Sequence, residues 1–288
     1  DIVIIGGGPA GLSAAIYAGR ALRSVLVIDK GEGRWSYNQH NENYLGFPQG
    51  ISAKHLREVG KKQAQKFGAD FVDDEIKTIK KRAKGFAFKG MNKTYLGRTV
   101  IFSTGVKDHF PSFEGAEKYI GRSLFWCLLC DGYKIRGKRV AVLGFDDQAV
   151  DTCMHLRKYT KDLVFLTNCD ETGDKVSPEK KALLKKMRIP LHYGSIAEAK
   201  GSRGYIREIC LDSGVKVKAD VLFSRQGYSP NVDLATQLGV ILEGKGYIKT
   251  DVNKRTNIPG VYAAGDVTSE TAHQIVTAAF EGATASIS

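Results

Sequence analysis

A glycine-rich loop near the start of the chain restricts the fold more than any other feature of the sequence. An apolar run, residues 2–5, leads into a loop with Gly6, Gly8 and Gly11 at its first, third and sixth positions. This spacing allows a tight turn, close approach of the backbone to a pyrophosphate, and contact between a helix and the preceding strand. A second apolar run ends at Asp29, eighteen residues after Gly11, where a carboxylate can accept hydrogen bonds from a ribose. This order of features predicts a dinucleotide-binding βαβ unit.

The same layout recurs in the middle of the chain, but with an altered loop. An apolar run at residues 140–143 precedes a loop that starts at Gly144 and ends at Ala149, with Asp146 in place of the middle glycine. A carboxylate there would face the pyrophosphate and oppose the attraction of a helix N-terminus for anions. The next apolar run is followed by residues 167–170, which contain no arginine to meet the 2′-phosphate of NADPH. We therefore expect the second unit to keep the fold and not to bind NADPH.

The length of the chain fits two domains of this type. At 288 residues, it can form two hydrophobic cores that need no disulfide support. We predict helices over residues 12–19 and 148–159, each flanked by strands of a parallel sheet. The expected fold class is α/β, with two Rossmann-like three-layer domains.

The charge of the chain restricts its partners. It has 43 Lys and Arg against 31 Asp and Glu, a formal net charge of +12, which attracts acidic proteins or anionic surfaces. We expect no nucleic-acid binding, because the sequence shows no nucleic-acid motif and no interleaving of aromatic and basic residues. No apolar run reaches the length of about 18 residues that a membrane span needs. We expect a cytoplasmic protein, for which peripheral association with a membrane surface stays open.

A pair of cysteines, Cys127 and Cys130, indicates redox chemistry. Two intervening residues bring both sulfurs within disulfide reach at the start of a helix, where the thiolate is favoured. The chain has five cysteines, an odd number that argues against a secreted disulfide framework. A zinc site needs four ligands, and the cysteines at positions 153, 169 and 210 are solitary in the sequence. We therefore predict a redox-active pair and no metal site.

Several further motifs make a resemblance to a known family specific. They are Asn43-Tyr44-Leu45-Gly46-Phe47-Pro48, Ser103-Thr104-Gly105, Cys127-Leu128-Leu129-Cys130-Asp131-Gly132, Gly227-Tyr228-Ser229-Pro230-Asn231 and Ile258-Pro259-Gly260-Val261-Tyr262-Ala263-Ala264-Gly265-Asp266. With the first glycine loop, they make the chain resemble the low-molecular-weight thioredoxin reductases from residue 2 to the C-terminus. The resemblance implies an FAD-binding domain formed by residues 1–112 and 231–288. A smaller NADPH-binding-like domain, residues 113–230, would interrupt it and carry the cysteine pair, and the protein would be a homodimer.

The resemblance also implies roles for individual residues. Cys130 would face the flavin and exchange electrons with it, Cys127 would exchange with the substrate, and Asp131 would transfer the proton. Asp266 would bind the ribityl chain of FAD, and the segment that begins at His273 would lie beside the isoalloxazine. The family usually has arginine where His273 stands. The predicted FAD-binding residues are Gly6, Gly8, Pro9, Ala10, Gly11, Asp29, Lys30, Trp35, Asn43, Ile76, Thr104, Gly105, Gly265, Asp266, His273, Gln274 and Ile275.

Departures from the family pattern bear on the electron donor. Phe125 and Trp126 precede the cysteines, and Leu128 and Leu129 separate them, where the reductases usually have small residues. A bulky, apolar cysteine pair is similar to that of dithiol oxidases on this fold. A missing NADPH site resembles both ferredoxin-dependent flavin thioredoxin reductases and diflavin-linked disulfide oxidoreductases. Trp35 either stacks on a flat heterocycle or packs in an apolar core, and the whole combination is closest to the diflavin group.

These features predict an NADPH-independent, FAD-linked disulfide oxidoreductase that exchanges two electrons between the cysteine pair and flavin. Thiol oxidation is slightly favoured over disulfide reduction, and one or two FAD molecules per chain are both compatible with this function. The expected partner is a dithiol or disulfide protein such as thioredoxin, or a small thiol, and an acidic protein such as ferredoxin is a further candidate. The alternatives are a ferredoxin-dependent thioredoxin reductase, an ordinary NADPH-dependent thioredoxin reductase and a non-enzymatic flavin-binding sensor.

Overall fold

The chain folds into two compact units. The computed structural model describes all residues from Asp1 to Ser288. Unit 1 contains Asp1–Tyr37, Tyr44–Asp108 and Tyr228–Ser288, and unit 2 contains Asn38–Asn43 and His109–Gly227. Each unit is built on a five-stranded parallel sheet, so the predicted α/β fold with two Rossmann-like domains is confirmed.

The strands and helices alternate as the apolar runs predict. In chain order the strands are β1 (Ile2–Ile5), β2 (Val25–Asp29), β3 (His40–Asn41), β4 (Ile51–Ser52), β5 (Ala69–Asp73), β6 (Thr78–Arg82), β7 (Gly85–Lys89), β8 (Thr94–Gly97), β9 (Thr99–Phe102), β10 (Val106–Asp108), β11 (Leu124–Phe125), β12 (Val140–Leu143), β13 (Leu163–Leu166), β14 (Leu191–His192), β15 (Ile196–Ser202), β16 (Tyr205–Leu211), β17 (Lys216–Lys218), β18 (Val221–Ser224), β19 (Tyr228–Pro230), β20 (Leu242–Glu243), β21 (Tyr247–Ile248) and β22 (Val261–Ala263). The α-helices are α1 (Pro9–Arg20), α2 (Ala53–Lys66), α3 (Leu128–Asp131), α4 (Asp147–Leu156), α5 (Pro178–Lys186), α6 (Asp233–Thr236) and α7 (Ile275–Ile287). None of these helices combines the length and apolar character that crossing a bilayer requires.

Helix α4 is shorter than the sequence predicts. It ends at Leu156 rather than at residue 159, because the amides of Lys158 and Tyr159 bond to the carbonyls of His155 and Leu156, three residues back. Such bonds tighten the end of a helix into a 3₁₀ turn.

The sheet of unit 1 has the strand order β22-β9-β1-β2-β5. Every neighbouring pair is parallel, so the carboxyl ends of the strands share one edge. Alternate residues of β1 point to opposite faces. Ile4 packs with the small residues of α1 and α7, while Val3 packs with Phe86 and Phe88 of the antiparallel sheet β6-β7-β8. The central sheet is therefore covered on both faces.

Unit 2 repeats this arrangement with the order β11-β18-β12-β13-β14. Phe165 belongs to the core on the side of α4 and α5, whereas Leu143 and Leu222 pack with Ile209 of the antiparallel sheet β15-β16-β17. The chain passes from unit 1 to unit 2 after β10 and returns at the start of β19. These two strands pair antiparallel within unit 1.

The close crossing of α1 and α7 gives a prediction for stability. A Cβ atom at Gly282 would lie 2.0 Å from the carbonyl oxygen of Ala10, a clash that only movement of a backbone can relieve. We expect Gly282→Ala to lower the free energy of unfolding by about 1–3 kcal/mol, the usual cost of overpacking a core. Urea denaturation of the purified variant measures this change.

Gly60→Ala is the matched control for that experiment. Gly60 is also helical, but its nearest neighbour is the flexible end of the Leu12 side chain. Since alanine favours a helix over glycine, this variant should be as stable as the original protein or more stable. Equal losses in both variants would show that Gly282 has no special part in the crossing.

Candidate redox and dinucleotide sites

The first glycine loop forms a cradle at the carboxyl edge of the unit 1 sheet. Gly6 has a φ of +106°, and a Cβ atom there would lie 2.3 Å from the carbonyl oxygen of Ser103. Gly11 packs as tightly, since a Cβ atom would lie 2.0 Å from the carbonyl oxygen of Gly6. A Cβ atom on Gly8, in contrast, would meet no atom within 4 Å. The loop is therefore closed toward the sheet and open on the side of Gly8.

The N-terminus of α1 is available to an anion. The helix begins at Pro9, directly after Gly8, and neither a side-chain cap nor an acidic residue occupies its first turn. Proline is suited to this position because its missing N–H would have no partner within the helix. Ala10 follows and is buried. The unused amides and the positive end of the helix dipole favour a phosphate group.

Asp29 lies at the end of β2 and is buried. Its carboxylate accepts hydrogen bonds from the amides of Gly7 and Gly31 and lies 3.6 Å from the guanidinium of Arg57. Arg57 also lies 3.9 Å from the centre of the Trp35 ring, within the range of a cation–π contact. The structure therefore brings Trp35 together with the predicted ribose acid, through an arginine that the sequence analysis missed.

Two neighbouring strands, β9 and β22, place three further predicted residues at the same sheet edge. Thr104 and Gly105 follow β9, and the hydroxyl of Thr104 donates to the carbonyl of Asn231 at 2.7 Å. Gly265 follows β22 with a φ of +83°, and a Cβ atom there would lie 2.9 Å from the Cβ of Ala10. Since β9 and β22 are adjacent and parallel, Thr104, Gly105 and Gly265 lie on the same edge as the first glycine loop.

Asp266 is held by an arginine that the sequence analysis did not identify. The Nη1 of Arg34 lies 2.8 Å from Oδ2 of Asp266, and the other side of the guanidinium binds both oxygens of Asp108. Burial raises the pKa of Asp266, and the charge of Arg34 opposes that rise. The second oxygen of Asp266 makes no hydrogen bond in the structure. It is the group that a ribityl hydroxyl can reach.

The residues before α7 form a compact turn. The Nε2 of His273 lies 2.6 Å from the carbonyl oxygen of Ser269, and the imidazole is 4.6 Å from the ring of Tyr228. Gln274 is the N-cap of α7 and forms a capping box with Thr277, and Ile275 is the first helical residue. The predicted flavin-contact segment is thus the start of a capped helix.

The remaining predicted cofactor residues are Lys30, Ile76 and Asn43. Lys30 is exposed and lies 3.4 Å from Glu32. Ile76 is buried in the apolar core of unit 1. Asn43 belongs to unit 2, where its side-chain amide donates to the carbonyl of Leu129 at 3.5 Å. The structure therefore places Asn43 with the cysteine helix.

The unit 1 site fits FAD on three observations. The cradle is open at Gly8, the amides at the start of α1 have no competing acid, and Asp266 keeps one oxygen unbonded. An anionic pyrophosphate matches the helix N-terminus. A chain of hydroxyl groups matches a buried carboxylate that still has acceptor capacity.

Cys127 and Cys130 form a disulfide at the start of α3. Cys127 is the N-cap of this short helix, and the amide of Cys130 donates to its Sγ at 3.1 Å. An N–H directed at sulfur stabilises a thiolate there once the disulfide is reduced. Among the residues predicted for catalysis, the structure brings together Cys127, Cys130 and the adjacent Asp131.

Asp131 is almost completely buried, with 1% of its surface exposed. Its Oδ1 lies 3.1 Å from Nζ of Lys134, which also donates to the carbonyl of His40 at 2.7 Å. The Oδ2 has no hydrogen-bond partner. Burial raises the pKa of Asp131, and the Lys134 ammonium opposes that rise. The carboxyl group is therefore suited to gain and lose a proton beside the disulfide.

Lys134 was missed by the sequence analysis although a signal for it exists. It follows Asp131 by three residues, a spacing at which side chains of one helical turn meet.

The bulky residues around the cysteines divide between core and surface. Phe125 is buried, Leu128 packs against the core of unit 2, and Leu129 is 73% exposed.

The altered loop of unit 2 keeps its packing but not its free helix end. A Cβ atom at Gly144 would lie 2.4 Å from the Cβ of Ala149. Asp146 is the N-cap of α4, and its carboxylate accepts from the amide of Ala149 at 2.9 Å. The expectation that this carboxylate faces a ligand needs correction, because it bonds to an amide in the first turn of its own helix. It occupies a donor that a pyrophosphate would use.

Residues 175–177 form hydrogen bonds with the same loop and with the start of α4. The amide of Lys175 donates to the carbonyl of Phe145 at 2.8 Å, and the amide of Ser177 donates to Asp147 at 2.7 Å. Residues 167–170 precede this segment and contain no arginine. Asp170 accepts hydrogen bonds from Thr172 and the following amide, so an acid closes the turn after β13.

Comparison with known proteins identifies the family of this chain. Residues 1–282 match the family model of the pyridine nucleotide-disulphide oxidoreductases. A thioredoxin reductase of Treponema pallidum is 32% identical over 99% of this chain and 94% of its own length. The crystal structure of a putative thioredoxin reductase from Bacillus anthracis has a TM-score of 0.91 at 27% identity, covering 100% of this chain and 96% of that one.

A further solved structure is an atypical thioredoxin reductase from Desulfovibrio vulgaris Hildenborough. It is 33% identical, covers 99% of this chain and 95% of its own, and has a TM-score of 0.55. These relatives span nearly the whole chain. The chain therefore belongs to the pyridine nucleotide-disulphide oxidoreductase family and, within it, to the low-molecular-weight thioredoxin reductases, which makes it an FAD-dependent disulfide oxidoreductase.

Proposed function

We propose that this enzyme works without NADPH and exchanges two electrons between the Cys127–Cys130 pair and FAD. The observation that carries the proposal is the difference between two helix N-termini. Helix α1 begins with no side-chain cap and no acidic residue, whereas α4 begins with Asp146 bonded to its own amide and with Asp147 in its first turn. One helix is open to a dinucleotide phosphate, and the other already holds an anion.

Two further features support the loss of the NADPH site. The backbone amide of Lys175 donates to the carbonyl of Phe145 in the altered loop. This part of the loop is therefore paired with the protein rather than available to a ligand. The turn after β13 presents Asp170 where a 2′-phosphate needs cations. Both features act against a tetra-anionic nucleotide, as does Asp146.

FAD supplies a two-electron acceptor or donor when it is bound. The residues that would hold it are the cradle at Gly8 and the start of α1 for the pyrophosphate, Asp29 for the ribose, and Asp266 for the ribityl chain. The amides of Gly7 and Gly31 fix the Asp29 carboxylate. Each carboxylate oxygen has two acceptor sites, so the bonded Asp29 can still accept from a ribose.

The cysteine pair and Asp131 carry the proton chemistry. In the thiol-oxidising direction, the dithiol loses two electrons and two protons while the sulfur–sulfur bond forms. Both electrons and one proton would pass to bound FAD, and the other proton would go to Asp131. The amide of Cys130 stabilises negative charge on the Cys127 sulfur. Ionised Asp131 can take up a proton on its unbonded Oδ2, and Lys134 keeps that carboxylate in place. In the reducing direction, protonated Asp131 returns the proton to the leaving sulfur.

The proposed substrate is the dithiol or disulfide of thioredoxin, or a small thiol. The relatives are named thioredoxin reductases, and Leu129 and Tyr133 expose 73% and 69% of their surface on either side of Cys130 and Asp131. An apolar contact surface of this kind suits a thiol or disulfide carried on an apolar patch. The bulky, apolar cysteine pair, which is similar to that of dithiol oxidases, favours thiol oxidation slightly. The homodimer, the second flavin and the cytoplasmic location stay predictions.

Anaerobic mixing with NADPH tests the central proposal. We expect the flavin absorbance to stay unchanged over minutes with NADPH, because the unit 2 loop has no free anion site. Dithiothreitol is the positive control and should bleach the same flavin through the cysteine pair. Rapid bleaching by NADPH would identify an ordinary NADPH-dependent thioredoxin reductase.

Asp131→Asn tests the proton transfer. Because the pKa of Asp131 is raised by burial, its base form builds up only as the pH rises above the usual aspartate range. Dithiothreitol-driven flavin reduction in the original protein should therefore accelerate as the pH rises through that pKa. The variant should react about 10²- to 10⁴-fold more slowly, the usual contribution of a general base, and should lack that rise.

Stability measurements separate this role from a structural one. A carboxyl group with a raised pKa binds its proton more tightly in the folded state, so its contribution to stability falls as the pH rises through the window above 3.8. Asp131→Asn should therefore fold at least as stably as the original protein at neutral pH. Asp220→Asn, which removes a carboxylate paired with Arg139 elsewhere in unit 2, should keep the original rate. A slow Asp220 variant would attribute the loss to folding.

A second candidate is a reductase that takes electrons from an acidic protein such as ferredoxin. One groove of unit 2, of about 440 Å³, is lined by Met154, Leu183 and Met187 together with Arg157, Lys158 and Lys161. These three basic residues form no ion pair in the structure. Tyr159, the residue after Lys158, lies beside the residue that follows α3, because a Cβ atom on Gly132 would lie 3.0 Å from the Tyr159 ring.

A charge-reversal pair tests this candidate. Lys158→Glu/Lys161→Glu should slow flavin reduction by reduced ferredoxin, and the loss should shrink as salt screens the surface charges. Lys80→Glu/Lys81→Glu, on exposed positions of β6 in unit 1, changes the net charge equally and should have a smaller effect. Equal effects of the two pairs would indicate attraction by the net charge alone.

A further inference from the structure

We propose that Arg34 is a positioning residue for FAD, which orients Asp266 and ties it to the strands through which the chain leaves and re-enters unit 1. The inference rests on the proposed FAD site, because Asp266 is its ribityl-binding group. It adds a residue that has no part in the glycine loop. Arg34 is separated from Asp266 by 232 residues in the sequence.

The guanidinium of Arg34 is fully engaged by two carboxylates. Its Nε and Nη2 bind the two oxygens of Asp108 at 2.9 and 2.5 Å, and its Nη1 binds Oδ2 of Asp266 at 2.8 Å. The exposed fractions of these side chains are 22% for Arg34, 1% for Asp108 and 16% for Asp266. A planar fork with fixed donors sets the orientation of both carboxylates. Lysine could not hold both groups in this geometry.

The partners of Arg34 lie where the chain crosses between units. Asp108 is the last residue of β10, and the chain enters unit 2 at the next residue. Tyr228 is the first residue after the return, is paired with Asp108 across β10 and β19, and lies with its ring 5.6 Å from the guanidinium. Arg34 therefore connects the flavin carboxylate to both ends of the inserted segment.

Arg34 is the guanidinium shared by the two carboxylates of the cluster. Its removal leaves the buried Asp108 and the part-buried Asp266 side by side without that cation between them. Buried like charges cannot both stay ionised at low cost, so one carboxyl must then take up a proton. The other titratable groups whose charges act on this cluster are Glu32, Tyr37, Tyr228, Tyr247, Glu270 and His273.

The expected result is a pH-dependent loss of FAD affinity. In Arg34→Gln, loss of the cation favours the protonated form of one of the two neighbouring carboxyl groups. The site is therefore least disturbed at acidic pH, where that proton is bound, and most disturbed at alkaline pH. Flavin-free protein is titrated with FAD, and the flavin fluorescence gives the dissociation constant at each pH. The series runs from about pH 5.5 to about pH 8.5, the range around neutrality in which the usual aspartate is ionised. We expect Arg34→Gln to bind FAD at least about tenfold more weakly at the alkaline end, a difference of about one pKa unit of interaction. The difference in FAD affinity between Arg34→Gln and the original protein should become smaller as the pH falls.

A double variant distinguishes charge balance from simple structural damage. Arg34→Gln/Asp108→Asn removes the cation together with one of the two carboxylates, so FAD binding should lose its added pH dependence. A residue that only supports the fold would instead lower the melting temperature and leave the pH dependence of the dissociation constant unchanged. Arg139→Gln is the matched control, since it breaks a two-point pair with Asp220 in unit 2. It should bind FAD with the original affinity and pH profile.

The possible outcomes separate this inference from the proposed function. Failure of the original protein to bind FAD would overturn the proposed FAD site itself. Tight, pH-independent binding by Arg34→Gln would overturn the role of Arg34 and leave the FAD site intact. The same pH dependence in the original protein would show that it does not arise from the loss of Arg34, and would also overturn the proposal. If Arg34→Gln does not fold, Arg34→Lys replaces it, since it keeps the charge and loses the planar fork. It should bind FAD more weakly without an added pH dependence, and unchanged affinity would overturn the positioning role.

Discussion

Both units depend on the close contact between a helix and the strand before it at a glycine loop. In unit 1, Gly11 leaves no room for a side chain against the backbone of Gly6, and in unit 2, Gly144 leaves none against Ala149. This contact fixes where each helix begins and therefore where its first amides point. The amides then meet either a ligand or a side chain. The packing that builds the fold is thus separate from the use of the helix end, which explains how unit 2 keeps its architecture with an aspartate in the loop.

Buried acids form a second common feature of the proposed sites. Asp29 lies beside Arg57, Asp266 is bonded to Arg34, and Asp131 is bonded to Lys134. Burying an ion pair costs desolvation energy that the pair often does not recover, so such pairs are weak evidence for a contribution to stability. Asp266 and Asp131 each have an oxygen without a protein hydrogen bond, which leaves acceptor capacity for a hydroxyl or a proton. Ligand binding by Asp266 and proton transfer by Asp131 therefore explain these buried carboxylates better than a contribution to stability does.

The sequence predicts what short-range patterns determine. Strands β1 and β12 have their predicted bounds, and the cysteine pair begins a helix as its spacing indicates. Partners that only the tertiary fold brings together could not be predicted. Arg34 bonds to Asp266 across 232 residues of sequence. The bond between Lys175 and Phe145 involves a turn that has no apolar periodicity, so the sequence pattern gives no sign of it. Trp35 could be identified as an unusual aromatic residue, but its contact with Arg57 depends on where α2 packs.

The capping of α4 also explains why loss of NADPH binding, as we propose it, need not destabilise the protein. A helix end that evolved around a phosphate leaves unsatisfied amides in the free state, whereas an aspartate N-cap satisfies one and contributes about 1 kcal/mol. Restoring glycine at position 146 would remove that cap and free the amide of Ala149. It would not move the backbone of Lys175 from the loop or supply cations beside Asp170. Three separate features therefore oppose nucleotide binding. Replacing Asp146 alone would lower the stability of α4 and still leave the nucleotide site incomplete.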